Sequence, residues 1–467
     1  MVTLIKWIIA AVIILVSQIV NAQQVEGMWN GALNVSGSEL PVVITVVKNN
    51  DSYTSTLKSP RQSDQEFPCD KTVFAEGNFQ FEVSALKISF KGVLKDNEIK
   101  GTFSQGAGEL PLILKRGDVR TVSRLQDPKK PYPYTSIDVS FNNASANNIK
   151  LSGTLTLPKD VDNPPVIILI SGSGPQNRDE EIKAFNHRPF LVLSDYLTRN
   201  GVAVLRYDDR GVAKSEGVFE GATSADFATD VEAAIDFLKK RRDVNTQKIG
   251  LVGHSEGGFI APMVASRRKD VSFVVLLSGT GVAGREVLLS QINRGAELEN
   301  VPAEIIKINN KFVDIVLSTV YHEDNPQVIK TKVKKEIETY HRSLNNDQKE
   351  KFPLGEVEKQ LRQFVNDPWM HYFIKTDPAK FLSKTKVPVL ALNGSKDFQV
   401  ITEINLTRID EVLKKSGNED ITIKEIEGVN HLFQMADTGA SSEYAKIEET
   451  FNVEVMKMIS DWINKRF

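Results

Sequence analysis

At 467 residues, with 41% hydrophobic and 25% charged side chains, the chain has the make-up of a soluble globular protein and the length of two or three domains. A formal charge of −2 excludes the strongly basic balance that marks nucleic acid or an anionic membrane surface as a partner. One cysteine, Cys69, excludes an internal disulfide and reads as a buried or idle thiol.

In chain order, the first 22 residues stand apart. Lys6 precedes the apolar run Trp7–Val16, and Val20-Asn21-Ala22 then offers small residues at the positions a signal peptidase reads. The run is short for a membrane span of about 20 residues. Residues 1–22 are therefore expected to be a signal peptide cleaved after Ala22, giving a secreted or periplasmic protein with no stable membrane insertion.

Residues 23–118 hold short, often alternating segments at 42–47, 53–57, 79–83, 87–94 and 98–103. Asn49-Asn50-Asp51, Glu76-Gly77-Asn78 and Lys95-Asp96-Asn97 punctuate them as turns. This rhythm predicts an antiparallel β-rich accessory domain, a small barrel or sandwich, with no catalytic constellation of its own. Residues 119–134, charged and rich in proline, read as a linker.

From 135 to 467 the pattern becomes α/β. Strand signals fall at 137–141, 149–157, 166–170, 202–206, 248–252, 272–277, 388–392 and 421–426, and helical periodicity fills 190–200, 225–241, 257–268, 403–416 and 443–465. Apolar strands such as Val166–Ile170 alternating with helices predict a mostly parallel sheet covered on both faces. Residues 283–384 interrupt this alternation with a mostly helical, Lys/Glu-rich insertion after a strand end. The insertion is expected to be a cap over the sheet edge, or else a purely structural helical subdomain. Lys330–Lys335 within it reads as a solvated helix face.

The chemistry gathers at loops. Gly253-His254-Ser255-Glu256-Gly257 follows the strand at Lys248–Val252 and opens a helix, the setting of a nucleophile elbow with Ser255 at its tip. A serine hydroxyl needs a base to take its proton and a third group to orient that base. Asp397 follows the strand at 388–392 and His431 follows the one at 421–426, in the order Ser, Asp, His. His254 directly precedes the nucleophile and points away from its oxygen, so it reads as a packing residue. His322, His341 and His371 lie in the insertion with no assigned chemistry. Charge developing on a substrate carbonyl needs fixed donors: the Glu256 amide, and an amide of the loop Ser171-Gly172-Ser173-Gly174-Pro175, Ser173 first and Gly172 as the alternative. A phosphate-binding loop is a poor fit, because no Lys-Ser/Thr follows and no helix opens there. No spacing suggests a metal site, and no cofactor is expected.

These stretches, together with Arg206-Tyr207-Asp208-Asp209-Arg210-Gly211, Gly394-Ser395-Lys396-Asp397 and Asn430-His431, resemble bacterial α/β-hydrolase fold esterases close to the serine aminopeptidase-like and dienelactone hydrolase-like branches. The likeness spans about residues 135–282 and 385–467. It implies an α/β-hydrolase fold, Ser255, Asp397 and His431 as the triad, the Ser173 and Glu256 amides as the oxyanion hole, and a structural role for Asp208-Asp209-Arg210. The N-terminal β-rich domain is similar to the accessory domain some secreted members carry. Ala213 departs from the pattern, where glycine is common.

The expected function is serine hydrolysis of small-molecule carboxylic esters through an acyl-enzyme. Peptide hydrolysis by the same triad is the alternative, and a catalytically inert envelope binding protein stands third. Acyl and alcohol preference and oligomeric state are not written in these motifs.

Overall fold

The computed structural model describes residues 25–467 except 36–37, 51, 60–64, 107 and 118–123. The expected signal peptide, its cleavage point after Ala22 and the start of the expected linker lie outside the described residues. The chain divides into two compact units, Met1–Thr121 and Val122–Phe467.

The first unit is one antiparallel sheet. Its strands are β1 (Gly27–Val35), β2 (Ser38–Asn49), β3 (Ser52–Lys58), β4 (Glu66–Pro68), β5 (Lys71–Ala75), β6 (Asn78–Val83), β7 (Ile88–Lys95), β8 (Glu98–Gln105) and β9 (Gly108–Arg116). Their order is β4-β3-β2-β1-β9-β8-β7-β6-β5. The sheet curls until its ends meet: the Ser55 hydroxyl on β3 and the Thr72 hydroxyl on β5 lie 2.8 Å apart. Alternate residues fill the inside with Trp29, Ile44, Phe79, Phe81, Phe90 and Ile99, each essentially inaccessible to solvent. The barrel alternative of the sequence reading is thus the observed one, in half-closed form. Cys69 is half-buried, and burial raises its thiol pKa.

The second unit carries an eight-stranded sheet: β10 (Thr135–Asn143), β11 (Ile149–Leu157), β12 (Val166–Ile170), β13 (Ala203–Tyr207), β14 (Ile249–His254), β15 (Phe273–Leu277), β16 (Val389–Gly394) and β17 (Ile421–Ile426). The order is β10-β11-β13-β12-β14-β15-β16-β17, with β11 antiparallel to both neighbours and every pair from β13 to β17 parallel. Helices α1 (Pro189–Arg199), α2 (Ser224–Leu238) and α3 (Glu256–Ala265) connect the first strands. The insertion holds α4 (Gly284–Leu298), α5 (Ala303–His322), α6 (Pro326–Ser343), α7 (Asn346–Lys351), α8 (Leu354–Asn366), α9 (Pro368–Lys375) and α10 (Ala379–Leu382); α11 (Thr402–Lys415) and α12 (Val453–Asn464) complete the fold.

The strands are apolar throughout because both faces are covered. Val166, Ile168 and Ile170 join the core beneath α2, α3 and α11, whereas Ile167 and Leu169 join the core beneath α1 and α12. The connection leaving β12 therefore covers one face and the connection leaving β14 the other, which opens a crevice between the C-terminal ends of these neighbours. The insertion has its own core around Phe312, Val316, Leu317, Val320 and Ile329. Among the described residues, no helix is long and apolar enough to cross a membrane.

Two expectations need adjusting. The helix expected over 443–465 begins only at Val453, where the Asn452 side chain accepts from the Glu454 and Val455 amides. The expected linker is, from Arg124 on, fastened to the hydrolase unit. The Arg124 guanidinium, buried, donates to the carbonyls of Phe185, Ile447 and Glu449, and Gln126 Nε2 donates to the Phe451 carbonyl at 2.7 Å.

Candidate active site

Ser255 sits between β14 and α3 with φ 52° and ψ −114°, a conformation that costs an L-residue about 1–3 kcal/mol and persists only where the surroundings impose it. The surroundings do so. A Cβ on Gly253 would fall 2.0 Å from the Gly257 carbonyl oxygen, and one on Gly257 would fall 2.1 Å from that of Ile170. The turn is pinned by the Ser255 amide donating to Leu277 at 2.8 Å and the Gly258 amide donating to Ser255 at 2.9 Å. The elbow read from the sequence is the geometry observed.

His431 and Asp397 meet beside it. Imidazole Nδ1 lies 2.8 Å from Asp397 Oδ2, with both side chains almost wholly withdrawn from solvent. The other oxygen, Oδ1, accepts from the Gln399 and Val400 amides, each at 2.9 Å, so three donors fix the carboxylate. Buried Asn430 shapes the histidine loop by accepting from the Leu432 and Gln434 amides at 3.0 Å. Nδ1 facing a carboxylate assigns the donor role to that nitrogen and leaves Nε2 as the basic one. The ring stands 4.9 Å from that of His254, the elbow residue next to Ser255.

The loop after β12 runs against the elbow: a Cβ on Gly172 would lie 3.3 Å from Ser255 Cβ. The Gly172 amide is not free to act as an oxyanion donor, because it donates to Glu180 Oε1 at 2.7 Å. This removes the alternative weighed from the sequence. The Ser173 amide and the Glu256 amide that opens α3 have no acceptor among the described residues. A free amide at a helix N-terminus carries the dipole's positive end toward incoming negative charge.

Asp208 and Asp209 clamp this loop, and Arg210 ties the same segment to α2. Asp208 takes both Nε and Nη2 of Arg178 at 3.0 and 2.7 Å, and its backbone amide at 2.8 Å. Burial would raise the Asp208 carboxyl, but the Arg178 bonds outweigh it and hold the pKa below the usual range. Asp209 accepts from the Ser171 hydroxyl at 2.9 Å and the Gln176 amide at 3.0 Å, bracketing the loop at both ends; burial pushes this carboxyl well up. Arg210 binds Asp230 through Nε at 2.7 Å.

Sequence reasoning missed two partners of the elbow. Glu180 pairs with His254 Nδ1 at 2.8 Å, and Trp369 Nε1, from α9 of the insertion, donates to Glu256 Oε1 at 2.6 Å. The Ser224 hydroxyl donates to the same Glu256 oxygen at 2.6 Å, while burial raises the Glu256 pKa. No sequence signal marks these contacts beyond the acidic run Asp179-Glu180-Glu181 beside the loop. His341 and His371 each bond a carbonyl within the insertion, as bystanders. The described residues contain no cluster of His, Cys, Asp and Glu able to hold a metal ion.

A β10-β11-β13-β12-β14-β15-β16-β17 sheet with a strained serine elbow after its fifth strand defines an α/β-hydrolase, and the chain is an enzyme of that hydrolase class. It belongs to the X-Pro dipeptidyl-peptidase (S15) family, whose profile matches residues 147–412. Esterase EstD of Thermotoga maritima is 24% identical over 444 residues, covering 94% of this chain and 92% of that protein. Similar solved structures include an esterase of Pyrococcus furiosus (16% identity, TM-score 0.41, 71% of this chain and 93% of that one). Another is Est1E of Butyrivibrio proteoclasticus with ferulic acid bound (18% identity, TM-score 0.40, 70% and 96%).

Proposed function

We propose that the protein hydrolyses carboxylic esters through an acyl-enzyme, with Ser255 as nucleophile, His431 as general base and then acid, and Asp397 orienting the imidazole. The observation that carries this is the buried 2.8 Å His431–Asp397 contact beside a serine held at φ 52°. His431 Nε2 takes the Ser255 hydroxyl proton as Oγ attacks the ester carbonyl. The Glu256 and Ser173 amides stabilise the resulting oxyanion, a contribution of about 3–4 kcal/mol per donor in such sites. Collapse expels the alcohol, which receives its proton from His431. Water, deprotonated by the same imidazole, then attacks the acyl-serine, and His431 returns that proton to Ser255 Oγ as the acid leaves. No step calls for a cofactor.

The family description and the name of the Thermotoga maritima relative point to different leaving groups, amine and alcohol. The charges around the elbow favour the ester reading. A peptide's terminal ammonium needs an uncommitted carboxylate, and those around the elbow are engaged: Asp397 by His431, Glu180 by His254, Glu256 by Ser224 and Trp369, Asp209 by Ser171 and Gln176, and Asp367 by the Trp369 amide. The insertion, anchored at Glu256, would act as the cap that selects small-molecule substrates. The apolar leader at residues 1–22 supports a secreted or periplasmic location, and N-terminal sequencing of mature protein is expected to start at Gln23.

Purified protein is expected to hydrolyse p-nitrophenyl acetate, to react with a fluorophosphonate probe, and to lose both activities in Ser255→Ala. Activity unchanged in that variant sinks the assignment. Failure of the intact protein to take up the probe would leave the inert-binding reading standing. A panel of esters of graded acyl length beside aminoacyl- and X-Pro-nitroanilides separates the two leaving groups; faster turnover of the nitroanilides overturns the ester reading.

A further inference from the structure

Beneath the proposed triad lies a second histidine–carboxylate pair, and we propose that Glu180 and His254, as a permanently charged couple, are positioning residues that set the oxyanion loop and the His431 loop together. The inference rests on the serine-hydrolase reading above and adds to it two residues that touch no substrate.

Hydrogen-bond accounting fixes the charge state. Glu180 Oε1 receives the Gly172 amide at 2.7 Å, and His254 Nδ1 lies 2.8 Å from the same oxygen. His254 Nε2 lies 2.9 Å from the His431 carbonyl oxygen. The His431 carbonyl only accepts, so Nε2 carries hydrogen; two short contacts converging on one Glu180 oxygen are those of a carboxylate accepting from both the Gly172 amide and Nδ1, which makes His254 an imidazolium. His254 is wholly buried; burial alone would lower its pKa, but the Glu180 carboxylate outweighs that and raises it.

The couple reaches three loops at once. Through Gly172 it holds the loop after β12, through its own backbone the elbow after β14, and through the His431 carbonyl the loop after β17. By occupying the Gly172 amide, Glu180 hands the oxyanion role to the next amide, Ser173. Glu180 itself stands at φ 51°, a strained conformation for a non-glycine residue. The titratable groups facing His254 are Glu180, the His431 ring at 4.9 Å, Asp397 and the buried His187. Taking Asp397, Glu180 and His254 as charged, the cluster carries −1 while His431 is neutral and becomes neutral when His431 accepts the serine proton. A neutral His254 would leave the same site one charge more negative at the moment the oxyanion forms.

Glu180→Gln keeps an acceptor oxygen for the Gly172 amide and removes the charge. Its kcat on p-nitrophenyl acetate is expected to fall 10- to 100-fold with KM within about threefold, since positioning acts at the transition state. With the Glu180 charge gone, burial is no longer outweighed, His254 stands neutral at assay pH, and the kcat deficit should persist across the neutral-to-alkaline range. Glu180→Gln/His254→Gln should lose no more than either single change, the signature of residues acting as one unit. Wild-type kcat and pH profile in a folded Glu180→Gln that still reacts with fluorophosphonate would reduce the couple to packing and overturn the proposal. Histidine 15N NMR of the intact wild type, with the His254 signal assigned from His254→Gln, reads the charge state without activity. A doubly protonated His254 at pH 7.5 supports the couple, and a neutral one overturns it. Absence of turnover and labelling in the wild type, by contrast, counts against the serine-hydrolase reading alone.

Discussion

Trp369 Nε1 donates to Glu256 Oε1 at 2.6 Å, so the helical insertion is hydrogen-bonded to the very residue whose amide faces the proposed oxyanion. The indole also stacks on Phe373, with ring centroids 5.4 Å apart. Trp369→Phe keeps the stacking and removes the donor, leaving the buried Glu256 carboxyl with Ser224 alone. Loss of a hydrogen bond to such a group is worth about 1.5–3 kcal/mol. Thermal denaturation is expected to show a Tm several degrees lower, with kcat on short esters reduced less than tenfold; an unchanged Tm would mean the contact contributes nothing.

Asp397→Asn tests the orientation of the base. The amide oxygen of the replacement can still accept from the Gln399 and Val400 amides, as Asp397 Oδ1 does, so the loop holds its shape. The new amide nitrogen then faces His431 Nδ1 and favours the tautomer that carries hydrogen on Nε2. A protonated Nε2 cannot accept the serine proton, and kcat is expected to fall about ten-thousand-fold with KM little changed. Steady-state kinetics on p-nitrophenyl acetate decide it, and a loss under tenfold would remove Asp397 from the mechanism.

Much of this site was legible because each part sits at a strand end, and the strands announce themselves. Val166–Ile170 and Val389–Leu392 are apolar runs too short for helices, bounded by Gly, Pro, Asn or Ser. The first and last barrel strands, β1 and β9, were hidden by Gly27, Gly31 and Pro111, which break the β pattern locally although neighbouring strands impose it. Tyr444, Ile447 and Phe451 recur at helical spacing and so imitate an earlier start of α12; loop contacts pack them there, Phe451 stacking on Phe433 at 5.3 Å between centroids. Glu180 and His254 are 74 residues apart, and Glu256 and Trp369 are 113 apart. Those pairings arise only when the loops fold onto one edge, so no local pattern could reveal them.

Ala213 offers a stability test of the one departure from the family's loop. It stands at φ 48°, where an L-residue loses about 1–2 kcal/mol relative to right-handed backbone. Glycine relieves that strain and gives back about 0.5–1 kcal/mol through its freer unfolded chain. Ala213→Gly is thus expected to raise Tm by about 2 °C and leave kcat untouched. A lowered Tm in differential scanning calorimetry would show that the loop does not bear the strain its backbone angle implies.

His187 should limit acid stability. It is fully buried, neither ring nitrogen has a hydrogen-bond partner among the described residues, and burial, with the nearby positive charges of Arg124 and His254, pushes its pKa down to about 3 from 6.5. The unfolded chain therefore binds a proton below pH 6.5 that the folded protein refuses until about pH 3. Because the unfolded state holds more protons across that window, stability falls as pH drops through it, by on the order of a few kcal/mol at the acid end. His187→Leu removes the titrating group and the two unpartnered nitrogens at similar volume. Its Tm is expected to match or exceed wild type at pH 7.5 and to pull progressively ahead between pH 6.5 and about 4. Parallel Tm-versus-pH curves for the two proteins would show that His187 binds its proton equally in the folded and unfolded chain, and would sink the prediction.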